Sequence, residues 1–144
     1  MTAAHTMPMP VFRNRITDLF GIAHPILLGG MHHLGRSGLV AAVVNAGAMG
    51  FITPRSFDSL QHYRDDLQRC RDLTQGRPFG VNLTISRRPG FNRDAAAWID
   101  IALEKGVRHF ESAGTSPEEF IPAIHAGGAV LMHKCPSVRH ALTA

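Results

Sequence analysis

Hydrophobic and polar positions fall into blocks that state one theme five times: a short β-type run, a polar or glycine loop, then an amphipathic helix. The first run covers residues 26–30, and its helix covers 37–45, closed by Ala46-Gly47 as a C-cap. The second pairs a run at 49–53 with a helix over 59–74, where Leu60, Tyr63, Leu67 and Cys70 recur at three- and four-residue spacing. The third joins 79–85 to a helix over 94–105 with Ala97, Ile101 and Leu103 turned inward. The fourth joins 107–112 to a helix over 117–126, with Ser116 as N-cap, Pro117 at the first helical position and Glu119 completing a capping box. The fifth run, 130–135, leads into a helix that begins at Ser137.

Strand, crossover helix and parallel strand in succession define an α/β protein with both sheet faces covered. Two architectures accommodate five such units. One is a doubly wound, flavodoxin-like open sheet. The other is the first five units of a TIM (β/α)8 barrel, whose full length is about 250 residues. The last helix carries only Val138, Ala141 and Leu142 as apolar contacts, short for a helix that closes a fold, so the end reads as truncated and the barrel is the expected class.

Composition narrows the function classes. At 144 residues, 44% hydrophobic and 18% charged, the chain suits one ordinary globular domain. Its apolar runs break well before the roughly 18 residues a membrane span needs. Residues 1–13 read as a flexible N-terminal tail and not as a secretion signal. Cys70 and Cys135 fit no metal or redox spacing, which points to reduced thiols and a cytoplasmic setting. The formal charge of +4 is scattered, and the pairs Arg13/Arg15 and Arg87-Arg88 lack interleaved aromatics, so nucleic acid is not the expected partner. Nine histidines include no metal-ligand spacing.

Candidate chemistry gathers where the runs end. The first run finishes in Gly29-Gly30, followed by Met31, His32 and His33. Glycines at a strand end let another group approach the main chain, or simply make a tight strand-to-helix turn. In α/β proteins ligands bind at that end of the strands. Asn82 offers an amide donor and acceptor, or serves as a strand-end turn residue. Glu111 and Ser112 finish the fourth run and either line a pocket or make structural hydrogen bonds. Lys134 ends the fifth as a candidate electrostatic group or as a solvated lysine.

An ordered set of segments carries a resemblance. Asn14–Gly21, His24-Pro25-Ile26, Gly29-Gly30-Met31, 39–43, 45–50, Pro78-Phe79-Gly80-Val81-Asn82-Leu83, Glu111-Ser112-Ala113-Gly114, His133-Lys134-Cys135 and 137–141 resemble the nitronate monooxygenase (2-nitropropane dioxygenase-like) flavoproteins. The resemblance implies a (β/α)8 barrel with FMN at the C-terminal mouth of the strands. It implies oxidation of an alkyl nitronate or related carbon acid by molecular oxygen. Relatives include flavin-dependent enoyl-thioester reductases. Carried onto this chain, it makes Gly29, Gly30, Met31, Asn82, Glu111 and Lys134 the cofactor-binding set, with His32 and His33 toward substrate. Residues 14–144 then form a partial FMN-binding barrel domain.

In that family the catalytic histidine follows the sixth strand, and the loops for the FMN phosphate follow the seventh and eighth. His140, in the helix after the fifth run, is not that histidine. The chain alone is therefore expected to bind FMN weakly or not at all and to be inactive, an inert fragment or half-barrel module being the alternative. Its open strands at 26–30 and 130–135 are expected to drive self-association.

Overall fold

The computed structural model describes residues 12–143, and all but the last two residues of the expected tail lie outside them. Helix α1 (Arg15–Phe20) opens the described chain. Asn14 Oδ1 accepts from the Ile16 and Thr17 amides, Thr17 Oγ1 accepts from the Asn14 amide at 2.9 Å, and Gly21 ends the helix at φ 64°. This reciprocal cap stabilises a helix too short to persist by propensity alone. Hydrophobic periodicity, which needs a longer window, does not reveal it.

The five β/α units follow: β1 (Leu27–Leu28), α2 (Ser37–Asn45), β2 (Met49–Ile52), α3 (Leu60–Leu73), β3 (Gly80–Ile85), α4 (Ala95–Glu104), β4 (His109–Gly114), α5 (Ile121–Ala126), β5 (Val130–Lys134) and α6 (Val138–Thr143). All strands pair in parallel, in the spatial order β1-β2-β3-β4-β5. A doubly wound sheet reverses direction at a switch point, whereas strands laid down in sequence order place every helix on one face. The sheet is a curled half-barrel, and the open-sheet alternative is excluded.

Local boundaries differ from the pattern in instructive places. The expected strand over 26–30 shortens to two residues because Gly29 and Gly30 leave the ladder to meet side chains of β3, β4 and β5. The helix expected to start at Pro117 starts at Ile121. Residues 118–120 form a turn, and the Ser116 hydroxyl accepts the Glu118 amide at 3.4 Å instead of capping a helix. Ser59 is the α3 cap, accepting from the His62 amide at 3.1 Å.

Alternation along each strand sends side chains to two layers. Toward the helices, Val81, Leu83, Ile85 and Phe110 pack against Val40 and Val44 of α2, Tyr63, Leu67 and Cys70 of α3, Trp98 and Ile99 of α4 and Ile124 of α5. Each fully buried aliphatic or aromatic side chain here contributes about 1.5–3 kcal/mol. In α4 it is Trp98, Ile99 and Ala102, more than the expected Ala97 and Leu103, that carry this contact. On the inner face Phe20, Ile22, Met49 and Phe51 form a second cluster flanked by Leu27 and Met132. Phe20 meets Phe51 edge-on at 6.3 Å and His109, the first residue of β4, at 5.4 Å. Helix α1 thus plugs the N-terminal end of the half-barrel and leaves the C-terminal end open.

Candidate functional site

Polar side chains meet on the inner face, midway up β3 and β4. Asn82 and Glu111 stand opposite each other in register, both buried. Glu111 Oε2 accepts from the Asn82 amide at 2.7 Å and from the Gly30 backbone N–H at 2.8 Å. Glu111 Oε1 pairs with Lys134 Nζ at 3.0 Å. The Glu111 side chain is 1% exposed and Lys134 47% exposed, so a buried anion is joined to the mouth by a cation that solvent still reaches. A carboxylate left unpaired there would carry a large desolvation cost, and three charge-assisted contacts offset it.

The two glycines have a specific steric reason. A Cβ on Gly30 would overlap Asn82, and one on Gly29 would stand 3.0 Å from Glu111 Oε1 and 3.3 Å from Lys134 Nζ. The close approach that glycine permits is made by the chain's own side chains, which press against the main chain of the β1 end.

The structure therefore brings together Gly29, Gly30, Asn82, Glu111 and Lys134. Met31 follows half-buried, its carbonyl accepting the Leu34 and Gly35 amides. His32 and His33 are exposed on the loop after β1, their rings stacked at 3.8 Å. His32 Nε2 lies 3.2 Å from the Arg55 carbonyl, and the His33 amide donates to Ser56 Oγ at 2.8 Å. Ser112 does not join the cluster. It points to the helix side, where its hydroxyl lies 2.9 Å from His133 Nδ1 on β5, because neighbours in a strand face opposite ways.

Sequence reasoning missed Arg55, on a short 3-10 turn (Pro54–Ser56) after β2. Its guanidinium lies 3.8 Å from the Phe91 ring centre and donates to the Phe91 carbonyl at 2.8 Å, tying the loop after β3 to the loop after β2. No spacing signal announces it, because its partner is 36 residues away. Burial lowers its pKa from the ordinary arginine value, with Asp94 opposing. Cys70, buried in the helix layer, has its thiol pushed up to about 12 by desolvation and then by Asp66. Among the described residues no group of histidines, cysteines or acids has metal-binding geometry, and no helix is long and apolar enough to cross a membrane.

The model of the family described as nitronate monooxygenase matches residues 13–143. A Rhodococcus jostii octahydro-indene-carboxyl-CoA dehydrogenase is 28% identical over 92% of this chain and 36% of its own length. A probable nitronate monooxygenase of Staphylococcus aureus is 33% identical over 60% of this chain and 25% of its own length. FabK from Thermotoga maritima superposes with a TM-score of 0.80 at 28% identity, covering 92% of this chain and 40% of that one. The chain spans between a quarter and about a third of the length of the curated relatives it matches.

Proposed function

The chain belongs to the nitronate monooxygenase family, a family of flavin-dependent oxidoreductases, and on that premise we propose that its open end forms one wall of an FMN site at which an alkyl nitronate is oxidised by molecular oxygen. The observation that carries this reading is the convergence of the Gly29-Gly30 main chain, Asn82 and Lys134 around buried Glu111, at the ligand-binding end of a barrel sheet.

The residues fit the ring. Lys134 is half-exposed and its ammonium has three donors, of which Glu111 Oε1 takes one. Asn82 Oδ1 has only a long contact, 3.4 Å, to Thr84 Oγ1. Gly29, Gly30 and Met31 would flank the ring, Asn82 would offer its amide, and Lys134 would hold the negative charge that accumulates on reduction. Bound FMN supplies the two-electron acceptor for a substrate carbanion and the route of those electrons to oxygen. Glu111 acts on Lys134 and Asn82, fixing their positions through the contacts above. His32 and His33, on the exposed loop of the same end, would meet substrate. A complete eight-stranded barrel supplies the facing wall and the phosphate-binding loops.

Titrating FMN at high concentration into the purified chain, oxidised and then reduced, tests the wall through flavin fluorescence and absorbance, with weak binding the expected result because one wall alone holds the ring. Reduced flavin binds more tightly than oxidised, and Lys134→Met removes about tenfold of that preference. A preference unchanged in Lys134→Met would remove the residue from the site.

A second reading, oxidoreduction of a thioester substrate, is favoured by the likeness to the carboxyl-CoA dehydrogenase over 92% of the chain. Oxygen uptake driven by alkyl nitronates, set against turnover of an enoyl thioester, separates the two.

A further inference from the structure

Helices α3 and α4 end beside each other at the end of the sheet away from the Lys134 rim, where the chain turns into β3 and β4. The turns are tight: Gln75 and Gly76 follow α3 at φ 55° and 77°, and Gly106 follows α4 at φ 81°. Between them opens a hollow of about 220 Å³, lined by Arg71, Arg77, Lys105 and Arg108 together with buried Phe79 and Val107. Among the described residues no acid lines it.

Neutral oxygens hold these cations in place. Arg71 Nη1 donates to the Lys105 carbonyl at 2.7 Å, and Arg108 Nη1 donates to the Leu103 and Val107 carbonyls at 3.0 and 2.8 Å. Lys105 Nζ donates to Gln68 Oε1 at 3.3 Å, and Arg77 Nη1 donates to Asn45 Oδ1 at 3.0 Å. Gly106 makes room for this arrangement, since a Cβ there would stand 2.5 Å from Arg71 Nη1.

A cation at a helix C-terminus ordinarily complements the partial negative charge of the last carbonyls. That role is too small for what gathers here. Two helix ends carry about half a unit of negative charge each, so Arg71, Lys105 and Arg108 alone leave about two positive charges over. The acids on the same helix ends are taken up by other partners: Glu104 pairs with Arg64, and Asp72 accepts from Gln68. Arg13, Arg64 and Arg93 elsewhere each have a carboxylate partner. The excess charge is local and it borders a concavity.

We propose that this hollow binds a small, multiply charged anion, whose clustered carboxylate or phosphate oxygens bridge the α3–β3 and α4–β4 turns. Arg71 and Arg108 each carry five N–H donors and spend only Nη1 on carbonyls, so the forks that recognise such oxygens are preorganised. The volume, below that of a drug-sized pocket, suits a compact ligand. β3 and β4 are interior strands of the sheet, so the site stands whatever pairs with β1 or β5. It is independent of the flavin reading.

The test is a calorimetric titration of the full chain with citrate and with pyrophosphate at constant physiological ionic strength, with acetate as the monovalent control. One or both of the multivalent anions bind saturably at a single site, and acetate does not. Lys105→Gln, which gives up only the Gln68 contact, weakens binding about three- to tenfold. Arg71→Gln weakens it at least as much; because Arg71 also caps α4, Lys105→Gln decides if that variant unfolds. Arg87→Gln/Arg88→Gln, at exposed positions beyond β3, leaves binding unchanged. Saturable binding of either anion supports the site, and the tighter one names the ligand class. Binding that is absent at this salt, unmoved by Lys105→Gln, or weakened equally by the Arg87/Arg88 pair overturns it. A polyglutamate peptide that binds where both small anions fail assigns the surface to an acidic protein and overturns it as well.

Discussion

Glu111 on β4 accepts a hydrogen bond from the side-chain amide of Asn82, its register partner on β3, at 2.7 Å. That cross-strand pair is the hub of the open end. Through its second oxygen Glu111 reaches Lys134 on β5, and through the first it also holds the Gly30 amide. Four of the five units therefore bear on each other through one buried carboxylate.

Removing the cation from this hub leaves a buried carboxylate held by N–H groups alone. Lys134→Met lowers stability, and Glu111→Gln/Lys134→Met lowers it by less than the sum of the single changes. The coupling lies between about 0.5 and 3 kcal/mol, toward the lower end because Lys134 is half-exposed. Urea unfolding of the four proteins checks it, and strict additivity would show that the ion pair is energetically idle.

Two glycine substitutions should act in opposite directions. Gly30→Ala forces a methyl into Asn82 and costs about 1–3 kcal/mol. Gly38→Ala, in α2 with open space where a Cβ would stand, raises stability by about 0.5–1 kcal/mol because alanine orders more cheaply in a helix. A Gly30→Ala protein with an unchanged urea midpoint would contradict the packing described at the β1 end.

His109 sets an acid limit. Burial beside Phe20 lowers its pKa from the ordinary 6.5, a hydrogen bond to the Leu19 backbone opposing, and its Nδ1 is buried without a partner. The unfolded chain binds this proton more readily than the folded one, so stability is full above about pH 6.5 and falls as pH drops toward the lowered value. The slope is at most about 1.4 kcal/mol per pH unit. His109→Leu should flatten that part of the profile of unfolding midpoint against pH; a slope unchanged in the variant would place the acid sensitivity elsewhere.

The β/α rhythm was legible because long amphipathic helices and buried strands write their period into the sequence. The residues 37–45 of α2, and Tyr63, Leu67 and Cys70 as the buried stripe of α3, stand as the pattern predicts. Asn82, Glu111 and Lys134 were legible as residues, since polar groups at strand ends are unusual enough to notice. Their mutual contact was not, because it depends on the register of β3 against β4 and of β4 against β5, which no local pattern encodes. Helix α1 escaped because six residues span too few turns for a period, although Asn14, Thr17 and Gly21 spell its caps. The late start of α5 escaped because a serine–proline start serves a turn as readily as a helix.

Strand order carries a last consequence for how the polypeptide acquires its shape. Each strand bonds only with strands adjacent in sequence, so every ladder closes over a few tens of residues and little chain entropy is lost at each step. Such a sheet can grow on the ribosome one unit at a time, each newly emerged strand finding its template already in place. The β3–β4 ladder, with six paired positions, is the longest of the four, so the sheet gains the most backbone order when its fourth strand joins.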